Sequence, residues 1–176
     1  MNLPVIIQNE MNKQLQRIET CVSLLSEEQI WNKFKPSMNS IGNLCLHLAG
    51  NEYQHLVSGM GGMPFVRTRT REFTENNGRS GNELLELLHN VRLQSSQVLE
   101  HLSETSLEKV VSIHYSSDDW NSMVARPRFE EQSYYSKTIE TILIQVCEHY
   151  SYHTGQIVIL TKLLNENPHP ITGTSH

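Results

Sequence analysis

Apolar residues recur at helical spacing along four stretches of the chain, which are separated by polar segments. In the first stretch Pro4 can occupy the opening turn, and the spacing of three, four and seven residues continues to about Leu25. Similar spacing recurs near 40–57, 80–102 and 136–164. The pattern predicts four long helices, each with one apolar face directed toward a shared core. The predicted inner positions of the first helix are Val5, Met11, Leu15, Ile18, Val22 and Leu25.

A serine followed three residues later by Gln or Glu marks two further helix starts. In this capping box each side chain can bond the backbone N–H of the other position. Ser26 with Gln29 predicts a short second helix, which Pro36 ends. Ser80 with Glu83 predicts where the third long helix begins.

The segments between the helices are polar and rich in turn-forming residues. Glycine and proline in 58–64 (SGMGGMP) end the second long helix, and a polar loop with arginines follows to about Asn77. Residues 105–135 are irregular; KVVSIHY is a candidate short strand, and ARPRF a turn or extended stretch. We therefore predict an all-α four-helix bundle with a short extra helix and long loops. The inner stripe of the last helix is Ile139, Ile142, Val146, Tyr150, His153, Ile157, Leu160 and Leu164.

Composition narrows the class of protein. A chain of 176 residues with 38% hydrophobic residues predicts one domain, with a core over about 3–165 and a tail over 166–176. The net charge of −5 argues against nucleic-acid binding, with RTRTR (67–71) as a local exception. No apolar run approaches the roughly 20 residues of a membrane helix, and the first residues are not a signal peptide. Three cysteines without CxxC spacing favour a cytoplasmic location.

The stretch EHYSYHTGQ (148–156) contains the candidate chemistry. His149 and His153 are four residues apart, so they lie one turn apart on the same helix face and could chelate one ion. The stretch is not an HExxH motif, because Tyr150 follows the first histidine and Glu148 points away from the stripe. Two imidazoles alone do not make a catalytic site, so two hydrogen-bonded structural histidines are the alternative.

A third ligand would have to come from another helix, and the second long helix offers His47 and His55. These two are eight residues apart, which is too far along the axis for them to bind one ion together. By helical phase His55 lies nearer the centre of the apolar stripe and His47 nearer its edge. Periodicity therefore does not select His47.

The sequences NSIGNLCLHLAGNEYQHL and YSYHTGQIVILTKLL, with the loop GMGGMPFVRTRTREFTE, resemble the DinB superfamily, in particular a small bacterial branch of undefined function. The resemblance covers residues 10–165. It implies a four-helix bundle, often a dimer, with a divalent metal held by His47, His149 and His153. His55 has no place in that pattern and is expected to be structural or at the rim of the site.

Polar neighbours of these positions are candidates for supporting roles. Asn51 and Gln156 could orient a ligand imidazole or a bound water. Glu52 could be a buried general base or the partner of an arginine, and we favour the pairing. Three arginines in the polar loop could bind an anionic substrate or a thiol cofactor. They could equally be solvent-exposed residues of a loop. They are Arg67, Arg69 and Arg71.

The resemblance implies a metal-dependent enzyme acting on a small molecule, with zinc expected and nickel or iron as alternatives. Members of the superfamily resemble thiol-dependent transferases that use bacillithiol or mycothiol, or metal-dependent hydrolases. The absence of a carboxylate base beside the histidines favours thiol transfer to a small electrophile. A non-catalytic metal-binding stress protein and a bundle without metal are the remaining hypotheses.

Overall fold

Four long helices form the body of the molecule in this computed structural model, which describes residues 2–123, 133–165 and 171. The all-α four-helix bundle predicted from the sequence is confirmed. The long helices are α1 (Leu3–Ser23), α3 (Ile41–Glu52, continued by a π-helical segment at Tyr53–Met60), α5 (Gly81–Glu100) and α7 (Ile139–Leu164). The shorter elements are α2 (Glu27–Trp31), α4 (Arg69–Thr74), a 3-10 turn (Glu104–Ser106), β1 (Val110–His114), α6 (Ser117–Met123) and β2 (Tyr134–Thr138).

The bundle core lies between the apolar faces of the long helices. Helix α1 packs along α7, and α3 is placed between α5 and α7. Removing these side chains from water supplies the main driving force for folding. Among the described residues, the largest side chains that are almost completely buried include Met11, Ile18, Leu48, Leu88 and Tyr150.

The helix starts follow the local signals in the sequence. Both predicted capping boxes are present, at the starts of α2 and α5, and a third lies at Ser40 and Asn43 before α3. Asn2 caps α1, and Pro4 lies in its first turn. These caps satisfy backbone N–H groups that a helix leaves without partners.

The end of the second long helix differs from a regular α-helix. The backbone changes to π-helical geometry at Tyr53 and ends at Met60, where the glycine-rich segment begins. A side chain at Gly59 would overlap Ile113 of β1, so glycine lets the strand pack closely here. Gly62 has a φ of +70°, in the left-handed region that favours glycine. The predicted stop is therefore correct, but the π-helical segment was not predicted.

Three sequence expectations need correction. Val5 is 47% exposed, because the inner face of α1 runs through Pro4, Ile7 and Met11, and Val5 lies to one side of it. The last helix begins at Ile139 rather than Ser136, because 134–138 pair antiparallel with β1. The loop after the second long helix contains a short helix, α4, over Arg69–Thr74. The predicted strand in KVVSIHY is confirmed as β1, whereas ARPRF lies outside the described residues.

Within residues 2–123, 133–165 and 171, no helix is long and apolar enough to cross a bilayer.

Candidate metal centre

Three histidines from two helices meet at one point in the bundle. His47 of α3 lies beside His149 and His153 of α7, and one nitrogen from each ring lies within 4.8 Å of the others. The Nε2 atoms of His47 and His149 are 3.0 Å apart. The three ring centroids are separated by 4.5 to 5.0 Å. We call this group the three-histidine cluster.

Helix packing explains why these residues meet. His149 and His153 project from the same face of α7 because they are one turn apart. Helix α3 packs against α7 and brings His47 to that face. His47 is buried, whereas His149 and His153 are half-buried, so the cluster is open on the side of α7.

The imidazoles of the cluster are held in their neutral form. Burial lowers the pKa of all three histidines, and it lowers that of His149 to about 3. The neighbouring imidazoles and Arg67 add to the effect at His149. Neutral imidazole is the form that binds metal, because its lone pair is free.

The geometry and chemistry of the cluster fit a divalent metal ion. Tetrahedral zinc with bonds of 2.0–2.1 Å to nitrogen separates two ligand nitrogens by roughly 3.4 Å, which falls within the 4.8 Å that spans the ligand nitrogens of the cluster. The Nδ1 atom of His149 is buried without a hydrogen-bond partner among the described residues. A buried nitrogen without a hydrogen bond is costly, and coordination of a cation at this nitrogen would offset that cost.

His47 is oriented by a carboxylate that the sequence did not indicate. Glu72 Oε2 lies 2.9 Å from His47 Nδ1, and both side chains are buried. Arg67 Nη2 lies 3.1 Å from the same nitrogen. Because a carboxylate only accepts, Nδ1 carries the proton and donates to Glu72, and the lone pair of Nε2 faces the other histidines. This is the carboxylate–histidine arrangement that supports metal ligands in proteins.

Arg67 belongs to the interior rather than to a solvated loop. Its Nε and Nη2 atoms each donate to Glu72 at 2.7 Å, and Nη1 donates to Gln54 Oε1 at 2.5 Å. Gln54 donates in turn to the backbone carbonyl of His114 in β1. Each of the three guanidinium nitrogens donates a hydrogen bond, and Glu72 neutralises the charge, so Arg67 supports Glu72 and is not a free anion-binding group.

The other two arginines of the predicted substrate group have different surroundings. The guanidinium of Arg69 lies over the ring of Phe73, 5.1 Å from its centroid. The Phe73 ring is 4.8 Å from the His47 ring, so Arg69 lies close to the cluster. Arg71 is exposed, and its side chain makes no ion pair or hydrogen bond with other described residues. Of these two arginines, Arg69 is therefore the one that lies near the cluster.

Gln156 and Asn51 occupy different positions relative to the cluster. His153 Nδ1 donates to Gln156 Oε1 at 2.7 Å, which leaves the lone pair of His153 Nε2 free. Gln156 also donates to the hydroxyl of Tyr152 at 3.3 Å. The carbonyl of Asn51 accepts from His55 Nδ1, and its side chain makes no hydrogen bond to His47 among the described residues. Gln156 thus orients a ligand candidate, whereas Asn51 supports His55.

Glu52 and His55 are both buried and lie outside the cluster. Glu52 accepts from Arg92 and from the hydroxyl of Ser95, so it has the arginine partner that helical phase favoured. His55 Nε2 lies 2.8 Å from the hydroxyl of Tyr135 in β2. Burial lowers the pKa of His55 to about 4, and its ring joins the π-helical segment to the hairpin.

The sequence model of one family covers almost the whole chain. The model described as "Protein of unknown function (DUF1572)" matches residues 4–172. The chain belongs to this family. No curated protein matches it.

Two solved structures share the fold at low sequence identity. A DinB-like protein from Bacillus cereus is 13% identical, with a TM-score of 0.61 and 89% of each chain covered. A conserved protein from Enterococcus faecalis is 15% identical, with a TM-score of 0.63, covering 93% of this chain and 98% of that one. The first of these likenesses shows that the chain has a DinB-like fold, as the resemblance implied.

Glu72, Phe73 and Gln54 are the site residues that sequence reasoning missed. All three depend on contacts between the loop, α4 and α3, which no periodic pattern encodes. One local signal was available at Gly50, because a glycine inside an apolar helix often marks a close approach. A Cβ at Gly50 would overlap Glu72 Oε1 and lie 2.9 Å from Arg67 Nε.

Proposed function

We propose that the three-histidine cluster binds one divalent metal ion and that the protein is a thiol-dependent S-transferase acting on a small electrophile. The observation that carries the proposal is the convergence of three neutral imidazoles at one point. Three protein ligands leave a coordination position for a substrate, as in catalytic metal sites. Imidazole ligands suit zinc first, with nickel or iron as alternatives.

The ligand set is His47, His149 and His153, and their neighbours keep it in place. Glu72 holds the proton of His47 at Nδ1, and Gln156 holds that of His153 at Nδ1, so both Nε2 lone pairs face the centre. Phe73 covers one side of His47 and excludes water there. When bound, the metal supplies Lewis acidity that lowers the pKa of a coordinated thiol.

Thiol transfer suits this site better than hydrolysis. In the transfer a thiolate sulfur attacks an electrophilic carbon; a C–S bond forms, and the leaving group departs with its bonding electrons. The proton of the thiol would pass to bulk water when the thiol is coordinated, so the attack itself needs no carboxylate base. Among the described residues, Glu72 is the only carboxylate in contact with a ligand histidine, and Arg67 and His47 occupy its oxygens. Arg69 is available to pair with an acidic group of the thiol, such as bacillithiol, or of the electrophile.

We also propose a homodimer in the cytoplasm. An exposed apolar stripe on α7 supports the dimer; it consists of Ile144, Tyr152, Ile159 and Leu163. Gly155 lies within the stripe, and no described residue outside its own helix lies within 4 Å of an added Cβ, which would let a second helix approach closely. The three cysteines are free, which suits a reducing compartment. Sedimentation of wild type and Ile159→Glu tests this: the variant should be monomeric, and equal masses would contradict the dimer.

An activity screen on zinc-loaded protein tests the proposed reaction. We would incubate chlorodinitrobenzene with bacillithiol, coenzyme A or cysteine, and separately p-nitrophenyl acetate without a thiol. We expect thiol conjugation above the uncatalysed rate in wild type and none in His149→Ala. Ester cleavage without thiol would instead support the metal-dependent hydrolase. Metal binding with neither activity would support the non-catalytic metal-binding stress protein.

A further inference from the structure

A cavity of about 440 Å³ lies between α3, α4 and α5, separate from the three-histidine cluster. Its lining includes Arg67 and Glu72 but none of the three histidines. The volume is within the range of small-molecule sites, which hold roughly 300–1,000 Å³. We call it the α5 cavity.

The walls of the α5 cavity are mainly apolar. Helix α3 contributes Leu46 and Ala49, and α5 contributes Leu87 and Val91. Three of these side chains are buried and Leu87 is half-buried, so the walls are part of the packed bundle. An apolar wall of this kind takes the hydrocarbon body of a ligand.

Of the charged residues that line the α5 cavity, one cation has no partner within the described part of the chain. Arg67 is neutralised by Glu72 at its inner end. At the mouth, Arg79 lies 3.4 Å from Glu75. Arg71, also at the mouth, has no ion-pair or side-chain hydrogen-bond partner among the described residues. The cavity therefore combines apolar walls with a guanidinium that no described residue pairs with, which suits a single acidic group.

Glu72 connects this cavity to His47. One carboxylate lines the α5 cavity and also accepts from His47 Nδ1 at 2.9 Å. Gly50 allows this position, because any side chain there would overlap the carboxylate. A molecule in the α5 cavity would contact the Arg67–Glu72 pair directly. A shift of Glu72 would then change the hydrogen bond that orients His47.

We propose that the α5 cavity is a second ligand site, for a small molecule with an apolar body and one acidic group. The occupant places its apolar body between α3 and α5 and its acidic group against Arg71. Its affinity is linked to metal binding at His47 through Glu72; this link rests on the proposed function. Linkage is reciprocal, so each ligand changes the affinity of the other by the same factor.

The test uses anilinonaphthalene sulfonate, which has an aromatic body and one acidic group, as a fluorescent probe on the full-length, metal-free protein. We expect saturable binding of one probe per chain. Leu87→Trp fills the cavity and should weaken binding at least about tenfold, since it removes most of the buried contact. Its matched control is Leu93→Trp, at an exposed position of the same helix, which should bind as wild type does. Arg71→Gln should weaken binding about two- to fivefold, and Lys13→Gln should not.

Two results would overturn the site: no saturable binding in wild type, or equal binding in wild type and Leu87→Trp. Both variants should show wild-type circular dichroism, so a loss specific to Leu87→Trp is not unfolding. A second titration on zinc-loaded protein should shift the probe affinity about fivefold or more, and an unchanged affinity would overturn the link. If zinc does not bind at all, the proposed function fails. The titration of metal-free protein still tests whether the α5 cavity is a ligand site.

Discussion

Two buried arginine–glutamate pairs lie against α3 and differ in what they touch next. In the first pair, Arg92 of α5 donates to Glu52 at 2.7 and 3.0 Å. In the second, Arg67 donates twice to Glu72 at 2.7 Å. Both pairs join a guanidinium to a carboxylate with two hydrogen bonds, the strong form of this contact.

The surroundings give the two pairs different roles. Arg92 also donates to Asn12 and lies over the Tyr150 ring, so the first pair joins α1, α3, α5 and α7 within the core. Glu72 instead accepts from His47, so the second pair ends at a candidate metal ligand. The same chemistry therefore supports the bundle in one place and orients an imidazole in the other. Substitutions in the first pair should therefore lower the free energy of unfolding, whereas substitutions in the second pair should lower the affinity for metal.

The largest expected effect is on stability, from Glu52→Gln. The substitution leaves the buried Arg92 without a counter-charge, and breaking such a pair costs about 3–5 kcal/mol. We expect the free energy of unfolding in urea to fall by that order. The variant that remains folded should bind zinc with wild-type stoichiometry. Loss of zinc binding without loss of stability would place Glu52 in the metal site and contradict the structural role assigned to the first pair.

Glu72→Gln should act mainly on the metal. Removing the carboxylate from behind His47 weakens the orientation and basicity of the ligand, so zinc affinity should fall about 10- to 100-fold. Competition with a colorimetric chelator measures this change. The matched control is Glu75→Gln, in the residue after α4, whose side chain faces Arg79 rather than a histidine. An affinity equal to that of wild type in Glu72→Gln would remove the proposed role of the second pair.

The stability of the metal-free protein should fall at acid pH because of His149 and His55, which lie on the same side of the molecule as Arg67. Burial lowers the folded pKa of His149 to about 3 and that of His55 to about 4, and Arg67 adds to both shifts. Below pH 6.5 these histidines take up protons in the unfolded chain but not in the folded one, so stability falls as pH falls. The loss for metal-free protein should approach about 1 kcal/mol per pH unit for each histidine between pH 6 and 4. Urea unfolding at several pH values measures it, and a smaller slope is expected in His149→Ala. Equal slopes would contradict the assignment.

The smallest expected effect comes from two glycines. Gly50→Ala places a Cβ against Glu72 and should weaken zinc binding roughly three- to tenfold by displacing the carboxylate. In the monomeric Ile159→Glu background, the Cβ of Gly155→Ala meets no described residue outside its own helix within 4 Å, so the substitution should raise the free energy of unfolding by about 0.5–1 kcal/mol through helix propensity. Chelator competition measures the loss of zinc affinity expected in Gly50→Ala, and urea unfolding measures the gain in stability expected in Gly155→Ala. Equal zinc affinities would show that the second pair tolerates movement.

The parts of this fold that were predictable are those with local causes. The long helices follow from the spacing of apolar residues, and the starts of α2 and α5 follow from capping boxes that involve residues three apart. The pairing of Glu52 was foreseeable because its helical phase directed it inward. The convergence of His47 with His149 was not, because the resemblance to a family, not periodicity, selected His47.

The second pair shows why the rest was not predictable. The RTRTR segment alternates in a way typical of a solvated loop, yet Arg67 and Glu72 are buried against Gly50. Their burial depends on how α4 folds back on α3, which no residue within the loop specifies. Similarly, Tyr135 pairs with His55 only because the hairpin brings β2 to the π-helical segment.

Metal content tests the central claim most directly. The protein should be purified without a histidine tag or nickel column and analysed for metals as wild type, as His149→Ala and as His101→Ala, a control at an exposed histidine. We expect about one divalent ion per chain in wild type and in His101→Ala, and none in His149→Ala. Absence of metal from wild type, even after reconstitution with zinc, nickel or iron, would contradict the account and leave the three histidines as structural residues.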